Sequence, residues 1–312
     1  MKVSVIIPTM NRAHLLEKTL SSLSMQDMPK EDFEVLIIDN GSTDNTKLVC
    51  DSYSSVFANF NYIYDDRPGL HTGRNLGFLK SKSEILVYGD DDITVPENWL
   101  TSIIEAFNDP DVYLVGGNDI PDYEQTPPDW INSLWIDDAE GNKLLLPFSC
   151  IDMGNAKKII RANYVFGCNF SIRREILLKT KGFHPDGVPK RYMQFRGDGE
   201  TFVSEYITEH NLKTLFIPEA SVKHFVSKER MTQEYVNGIA FRNGISSRFT
   251  KIRKNNSLVT ALIDYLHLIF GRSTDNTTKG EKFLLKHYIK SKKLRAWVNL
   301  QNYLDVSIYD YL

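Results

Sequence analysis

Three adjacent carboxylates, Asp90-Asp91-Asp92, close an apolar run, Ile85-Leu86-Val87-Tyr88. Three neighbouring negative charges repel one another unless a cation is present. In an extended segment Asp90 and Asp92 point the same way and can share one site. Oxygen ligands of this kind suit Mn2+ or Mg2+ bridging a diphosphate, with substrate oxygens in the remaining positions. The alternative is a solvated acidic turn capping a helix at Pro96; the buried strand ahead of the acids favours the cation. Two other segments place reactive side chains after an apolar run, Pro8-Thr9-Met10-Asn11-Arg12 and Asp39-Asn40-Gly41-Ser42. Acids there can accept from hydroxyl and NH groups, and Arg12 and Arg74 can meet phosphates.

Strands must deliver these groups. Val3–Ile7 and Val35–Ile38 are continuous apolar runs of the kind buried on both faces of a sheet, and Phe60–Tyr64, Ile85–Tyr88 and Tyr113–Val115 follow. Between them, Ala13–Leu23, a stretch capped by Asp44 and running to about Tyr53, His71–Leu79, and Pro96 to about Phe107 have helical spacing. Strand–helix alternation predicts an α/β fold, a Rossmann-like, mostly parallel sheet flanked by helices. Ligands of such sheets sit beyond the carboxyl ends of the strands, so parallel geometry brings all three reactive segments to one edge.

Past Gly117 the alternation lapses. Residues 118 to about 160 carry Pro121, Pro127, Pro128 and Pro147 with Trp130 and Trp135, which reads as a loop-rich insertion. The tryptophans suit either a sugar face or an anchor for that insertion. Asn163–Ile172 and Leu215–Ile217 are expected strands with a helix, Thr201–Glu209, between them, and the chain is helical in pattern from about Glu229.

Charge bounds the partners. Among 312 residues, 37 are Lys or Arg and 40 Asp or Glu, a formal −3. This balance excludes a surface that grips nucleic acid throughout. Residues 251–312 hold eleven basic and five acidic residues, +6, which leaves −9 for residues 1–250. Such a basic helical tail could lie on an anionic membrane surface, although Leu284, Leu285 and Val298 require burial and argue for packing on the main domain. Cys50, Cys150 and Cys168 lie too far apart for a CxxC knuckle and are odd in number, so they read as reduced thiols. Nothing at the N-terminus reads as a signal peptide. The apolar stretch Leu258–Phe270 is interrupted by Asp264 and His267 and is too short to span a bilayer. The expected location is cytoplasmic.

A nicotinamide dinucleotide site is the runner-up, because Asp39 after the second strand would suit a ribose diol. The first strand-to-helix turn lacks the G-x-G-x-x-G glycines, and Gly69, Gly73 and Gly77 follow the third strand instead.

Taken together, Val3–Arg12 (VSVIIPTMNR), Val35–Asp44 (VLIIDNGSTD), Gly73–Gly77 (GRNLG) and Val87–Asp92 (VYGDDD) resemble the nucleotide-sugar half of a family 2 glycosyltransferase with the GT-A fold. Gly167–Arg174, Gly182-Phe183, Gly197–Glu200 and Pro218–His224 continue the resemblance in order, over about Lys2 to Ser247. It implies a catalytic domain at 1–250, with a nucleotide-binding half (1–117) and an acceptor half (118–250); residues 251–312 match no motif of the family and are expected, from charge and pattern, to be a basic helical extension. The implied reaction is inverting, metal-dependent transfer from a nucleotide-diphospho-sugar, UDP-sugar favoured, to a hydroxyl of a glycan or glycolipid. The implied cofactor is Mn2+ or Mg2+, no nucleic acid is expected as partner, and the tail is where the inner face of a membrane would be met.

Carried over by position, Pro8, Thr9 and Arg12 would line the uridine pocket, with Asp39 on the base and Arg74 near the nucleotide. Asp90 would touch the ribose, Asp91 would stand in the same donor site, and Asp92 would hold the metal, with His224 completing its shell. The resemblance makes Asp198 the base that takes the acceptor proton, with Glu200 as rival, because Gly197 stands where the family carries Glu. That departure also leaves open a non-catalytic nucleotide-sugar-binding module. Asn169 reads equally as a site residue or as a buried amide satisfying backbone. Arg230 and Arg242 could close over the diphosphate, whereas His71 and His184 show no ligand spacing and read as structural.

Overall fold

The computed structural model describes residues 1–271 and 273–312. Its main sheet has eight strands in the spatial order Lys158–Ile159, Lys213–Phe216, Val112–Gly116, Asn169–Arg173, Ile85–Gly89, Val3–Thr9, Phe33–Asp39 and Phe60–Tyr64. The last four strands in this order pair in parallel, as does Lys213–Phe216 with Val112–Gly116. Asn169–Arg173 runs antiparallel between Ile85–Gly89 and Val112–Gly116.

Strand Val3–Thr9 is buried along its whole length, which explains its unbroken apolar run. Val3, Val5 and Ile7 pack with Leu16, Leu20 and Leu23 of helix Ala13–Ser24 on one face. Ile6 packs with Phe78, Leu86 and Tyr88 on the other. Each fully buried side chain of this size contributes about 1.5–3 kcal/mol, so the strand that carries Pro8 and Thr9 to the edge is firmly held. Helix Leu70–Lys80 approaches it unusually closely: a Cβ on Gly77 would lie 2.3 Å from Ile6 Cγ2. Gly77 of the GRNLG segment therefore serves helix-on-strand packing, while Gly73 makes room for the Asn40 side chain beyond the strand end.

Three expectations change. Asp44 does not cap its helix; Asn45 precedes helix Thr46–Tyr53, while Asp44 accepts from Thr46 N and Ala13 N at 3.1 and 3.0 Å. The strand expected over Asn163–Ile172 begins only at Asn169, after a 3-10 turn at Ala162–Tyr164. Residues 118–160 are more ordered than a loop-rich insertion. Asp119–Tyr123, Ile136–Asp137, Lys143–Leu145 and Cys150–Asp152 join Ile93–Thr94 and Val222–Val226 in a second, six-stranded sheet. Trp130 and Trp135 pack against its Ile131, Leu145, Phe148 and Met231 cluster, as anchors.

The C-terminal region is helical, with helices Gln233–Lys254, Leu258–Phe270, Asn276–Lys290 and Lys292–Val298. The boundary expected after residue 250 falls inside the first of these. Leu284, Leu285 and Val298 are buried in a third cluster with Phe195, Phe249 and Trp297, and Trp297 Nε1 donates to Phe195 O at 2.9 Å. The helical extension thus packs beneath the loop that carries the second acidic motif.

Candidate active site

The carboxyl ends of the parallel strands converge as strand geometry requires. Thr9 Oγ1 donates to Asp91 Oδ2 at 2.7 Å. Arg12 spans two of the acids, Nη1 to Asp91 Oδ1 at 2.6 Å and Nη2 to Asp92 Oδ2 at 2.5 Å. A cleft of about 270 Å³ opens here, lined by Pro8, Thr9, Arg12, Asp90 and Asp91 together with Asn40, Gly69, Leu70, Gly187 and Pro189. Of these last five, Asn40 stands in a segment the sequence marks and Gly69 among its spaced glycines, whereas the sequence does not single out Leu70, Gly187 and Pro189; Gly187 and Pro189 come from the loop after helix Arg174–Thr180. Asp39 is not in the lining. It is buried and spends both oxygens inside the protein, accepting from Ser42 N and Tyr62 OH, each at 2.7 Å.

Arg74 is fully enclosed and donates through Nη2 to Asp90 Oδ1 at 2.8 Å and to Gly167 O at 2.7 Å. Its other terminal nitrogen lies 3.7 Å from Glu200 Oε2. His71, one helical turn earlier, brings Nε2 to 3.0 Å from the same oxygen. His71, read from sequence as structural, thus stands against the second acidic motif. Nothing local to its own segment could reveal this, because its partner comes from a distant loop.

The two acids of the second motif separate. Asp198 is 5% exposed and both its oxygens are taken, Oδ1 by His184 Nδ1 and Oδ2 by Thr250 Oγ1, each at 2.6 Å. It faces a separate recess with Phe202 and Arg253. Glu200 keeps 28% of its side chain exposed, and among the described residues no side-chain hydrogen bond engages Oε1. Of the two acids offered by the sequence as base, Glu200 is thus the one that keeps an oxygen unengaged by any side chain among the described residues. Burial would raise the Glu200 pKa, but His71 and Arg74 outweigh it and hold the carboxyl well below its usual range.

Asp90, Asp92 and His224 bring one ligand atom each to within 4.8 Å of one another. Asp92 Oδ1 lies 3.3 Å from His224 Nε2, and neither that buried oxygen nor His224 Nδ1 makes a hydrogen bond among the described residues. Two carboxylates and an imidazole form a donor set that fits Mn2+ or Mg2+, and an orphaned buried carboxylate oxygen is what a cation would satisfy. Burial alone would lower the His224 pKa, yet Asp92 beside it holds it well above its ordinary value. Burial would likewise raise Asp92, but His224, Arg12 and Arg230 hold it low. For Asp91 burial prevails over Arg12 and pushes the carboxyl up to about 7. Arg230 Nη1 stands 3.7 Å from Asp92 Oδ2, where a closing cation was expected.

A second grouping, His71, Asp186 and Glu200, is equally tight. Arginines pair with both groupings: Arg74 stands 3.7 Å from Glu200 and Arg196 Nη2 donates to Asp186 Oδ2 at 3.1 Å, as Arg74 and Arg12 meet Asp90 and Asp92 in the first. Asn169 takes the bland role: Nδ2 donates to Ala220 O at 2.9 Å and Oδ1 accepts from Trp99 Nε1 at 3.3 Å. Arg242 lies over the Tyr235 ring in a groove of about 890 Å³ that meets the cleft at Gly187.

Comparison with known proteins fits this picture. The model of glycosyl transferase family 2 matches residues 4–180. Over 117 residues the chain is 38% identical to glycosyltransferase AglE of Haloferax volcanii, a segment covering 37% of this chain and 38% of that relative. The chain thus aligns with well under two thirds of that relative's length. Among solved structures, the mannosyltransferase PcManGT from Pyrobaculum calidifontis, in complex with GDP-Man and Mn2+, superposes with a TM-score of 0.55 at 20% identity, over 96% of this chain and 72% of that one. TarS 1–349 of S. aureus, in complex with UDP-GlcNAc, gives 0.54 at 17% identity, over 94% and 74%. The fold is the expected GT-A fold, with a helical C-terminal part.

Proposed function

Because the chain belongs to glycosyl transferase family 2, we propose that it transfers a sugar from a nucleotide-diphospho-sugar to a hydroxyl of a glycan or glycolipid, inverting the anomeric centre. The observation that carries this reading is the convergence of Asp90, Asp92 and His224 beside a cleft lined by Pro8, Thr9 and Arg12. A UDP-sugar is the favoured donor, in keeping with the UDP-GlcNAc bound by TarS. The GDP-Man complex of PcManGT makes guanosine the competitor to test.

In this reading Asp90, Asp92 and His224 hold Mn2+ or Mg2+. The cation's contribution when bound is to offset charge developing on the departing diphosphate. Arg12 keeps Asp91 and Asp92 in place. Arg74 fixes Asp90 and stands beside Glu200. The acceptor enters by the groove that meets the cleft at Gly187. Glu200 takes the proton from the acceptor hydroxyl as its oxygen attacks the anomeric carbon on the face opposite the leaving group, and the C–O bond to the diphosphate breaks. Residues 1–250 supply this machinery and 251–312 buttress it from below.

A panel of nucleotide sugars with and without Mn2+, read by thermal shift and then by donor hydrolysis, tests the proposal. Stabilisation by a UDP-sugar only with the metal present, followed by turnover, is the expected result. Binding without turnover across the panel would favour the non-catalytic module.

A further inference from the structure

Helix Leu258–Phe270 turns its apolar side to solvent. Val259, Leu262, Ile263, Leu266, Ile269 and Phe270 are between 41% and 82% exposed. At about 100° per residue these six fall within about 120° of arc, a single continuous face. No charged residue interrupts it. The helix's one acid, Asp264, points inward and accepts from Arg248 Nη1 at 2.5 Å, while Ala261 is buried and Tyr265 and Leu268 pack on the C-terminal cluster. The side facing the protein is therefore polar in part, while the solvent-facing stripe of these six residues is apolar, with exposed His267 beside its edge. Scattered exposed apolar residues are ordinary, but a contiguous stripe of this kind marks a surface meant to be covered.

Charge identifies the cover. Residues 251–312 carry +6 by sequence. Lys286, Lys290 and Lys292 of the same extension are exposed and have no carboxylate partner among the described residues. An apolar stripe carried by a cationic segment of the chain complements an anionic lipid surface, and two copies of that segment would repel rather than attract one another. At about 20 Å the helix is too short for a hydrocarbon core of about 30 Å. Among the described residues no helix is long and apolar enough to cross a membrane. Its geometry suits a helix lying in the plane of the headgroup boundary.

We propose that this face seats the chain on an anionic bilayer, with Leu262, Ile263, Leu266 and Phe270 entering the headgroup–acyl boundary. The inference rests on this surface and stands apart from the transfer reading. The full chain would be sedimented with vesicles of phosphatidylcholine, with and without phosphatidylglycerol. It should partition onto the anionic vesicles, and Ile263→Gln/Leu266→Gln should reduce that partitioning about tenfold or more while the melting temperature and donor hydrolysis hold. Should the pair misfold, amide hydrogen exchange on the unaltered chain gives a second reading, since vesicles should protect residues 258–270 selectively. Three results would overturn the proposal: no binding to anionic vesicles, equal binding by the variant, or a dimer in solution that the pair dissociates while vesicles leave the exchange of 258–270 unchanged. Equally tight binding to neutral vesicles would overturn its electrostatic part.

Discussion

His71 Nε2 stands 3.0 Å from Glu200 Oε2 and 3.1 Å from Arg74 Nη1, so one ring nitrogen faces an acceptor and a donor together. A guanidinium has no acceptor, and an ionised carboxylate has no donor. Nε2 can therefore satisfy Glu200 only by carrying the proton, and the Arg74 contact is then packing rather than a hydrogen bond. This orients one carboxylate oxygen and leaves the other for the acceptor. Glu200→Gln should lower transfer by about 100- to 10,000-fold while donor affinity is kept. His71→Phe should lower kcat with little change in donor KM. Activity profiles of the two variants check this, and unimpaired transfer by Glu200→Gln would end the assignment.

Asp198 makes the opposite forecast. Its buried oxygens each accept a hydrogen bond, from His184 and Thr250, so Asp198→Ala should act first on stability. Leaving those buried partners unmet costs about 1–3 kcal/mol each. Urea unfolding should show the loss, and the residual folded enzyme should retain transfer. A fully stable Asp198→Asn with no transfer would return the base to Asp198.

The metal reading is tested by Asp92→Asn and His224→Ala. Each removes one of three ligands, and loss of the metal-dependent thermal shift is expected in both, together with a fall in turnover of 100-fold or more on the order set by losing cation stabilisation of the leaving group. Chelation should reproduce the effect in the unaltered chain. Turnover unaffected by chelator and by Asp92→Asn would remove the cation from the scheme.

What the sequence revealed, and what it hid, follows from the range of the interactions. Runs buried on both faces, such as Val3–Ile7, announce themselves because every position must be apolar, and Asp90–Asp92 stand out because adjacent acids need a reason. The cleft edge follows from parallel strands. His71 and Glu200 were not paired in advance because their contact depends on how a remote loop returns to the sheet. The second sheet was missed because its strands are two to five residues long and hold Pro121 and several acids, too short for periodicity to register. The outward apolar face of Leu258–Phe270 was invisible for a similar reason: spacing identifies a face but not which way it turns.

His184 supplies a pH test. It stacks on Phe202 with ring centroids 3.8 Å apart, and burial lowers its pKa from the ordinary 6.5 despite the hydrogen bond to Asp198. The unfolded chain then binds this proton more readily than the folded one, so the neutral ring's contribution is complete above 6.5 and declines as pH falls below it. Thermal melts from pH 7.5 downward should lose stability through that range, and His184→Asn should flatten the slope whatever its absolute melting temperature. An unchanged slope would mean that other groups set the acid limit.

Gly77 offers the sharpest check on how the site is held. An alanine there would drive its Cβ to 2.3 Å from Ile6 Cγ2, and Ile6 sits in a strand paired on both sides, by Ile85–Gly89 and Phe33–Asp39. Neither element can yield without shifting the sheet, so Gly77→Ala should cost about 1–3 kcal/mol. Helix Leu70–Lys80 also carries His71 and Arg74, so a displaced helix should misplace the Glu200 carboxylate and slow turnover in the protein that remains folded. Ile6→Ala opens a cavity and should cost about 2–5 kcal/mol alone. In the double variant the new methyl occupies part of that cavity, so the two losses should not add: the coupling should be about 1 kcal/mol or more in the stabilising direction. Strict additivity in urea unfolding would show that the helix does not rest on Ile6 as the packing requires.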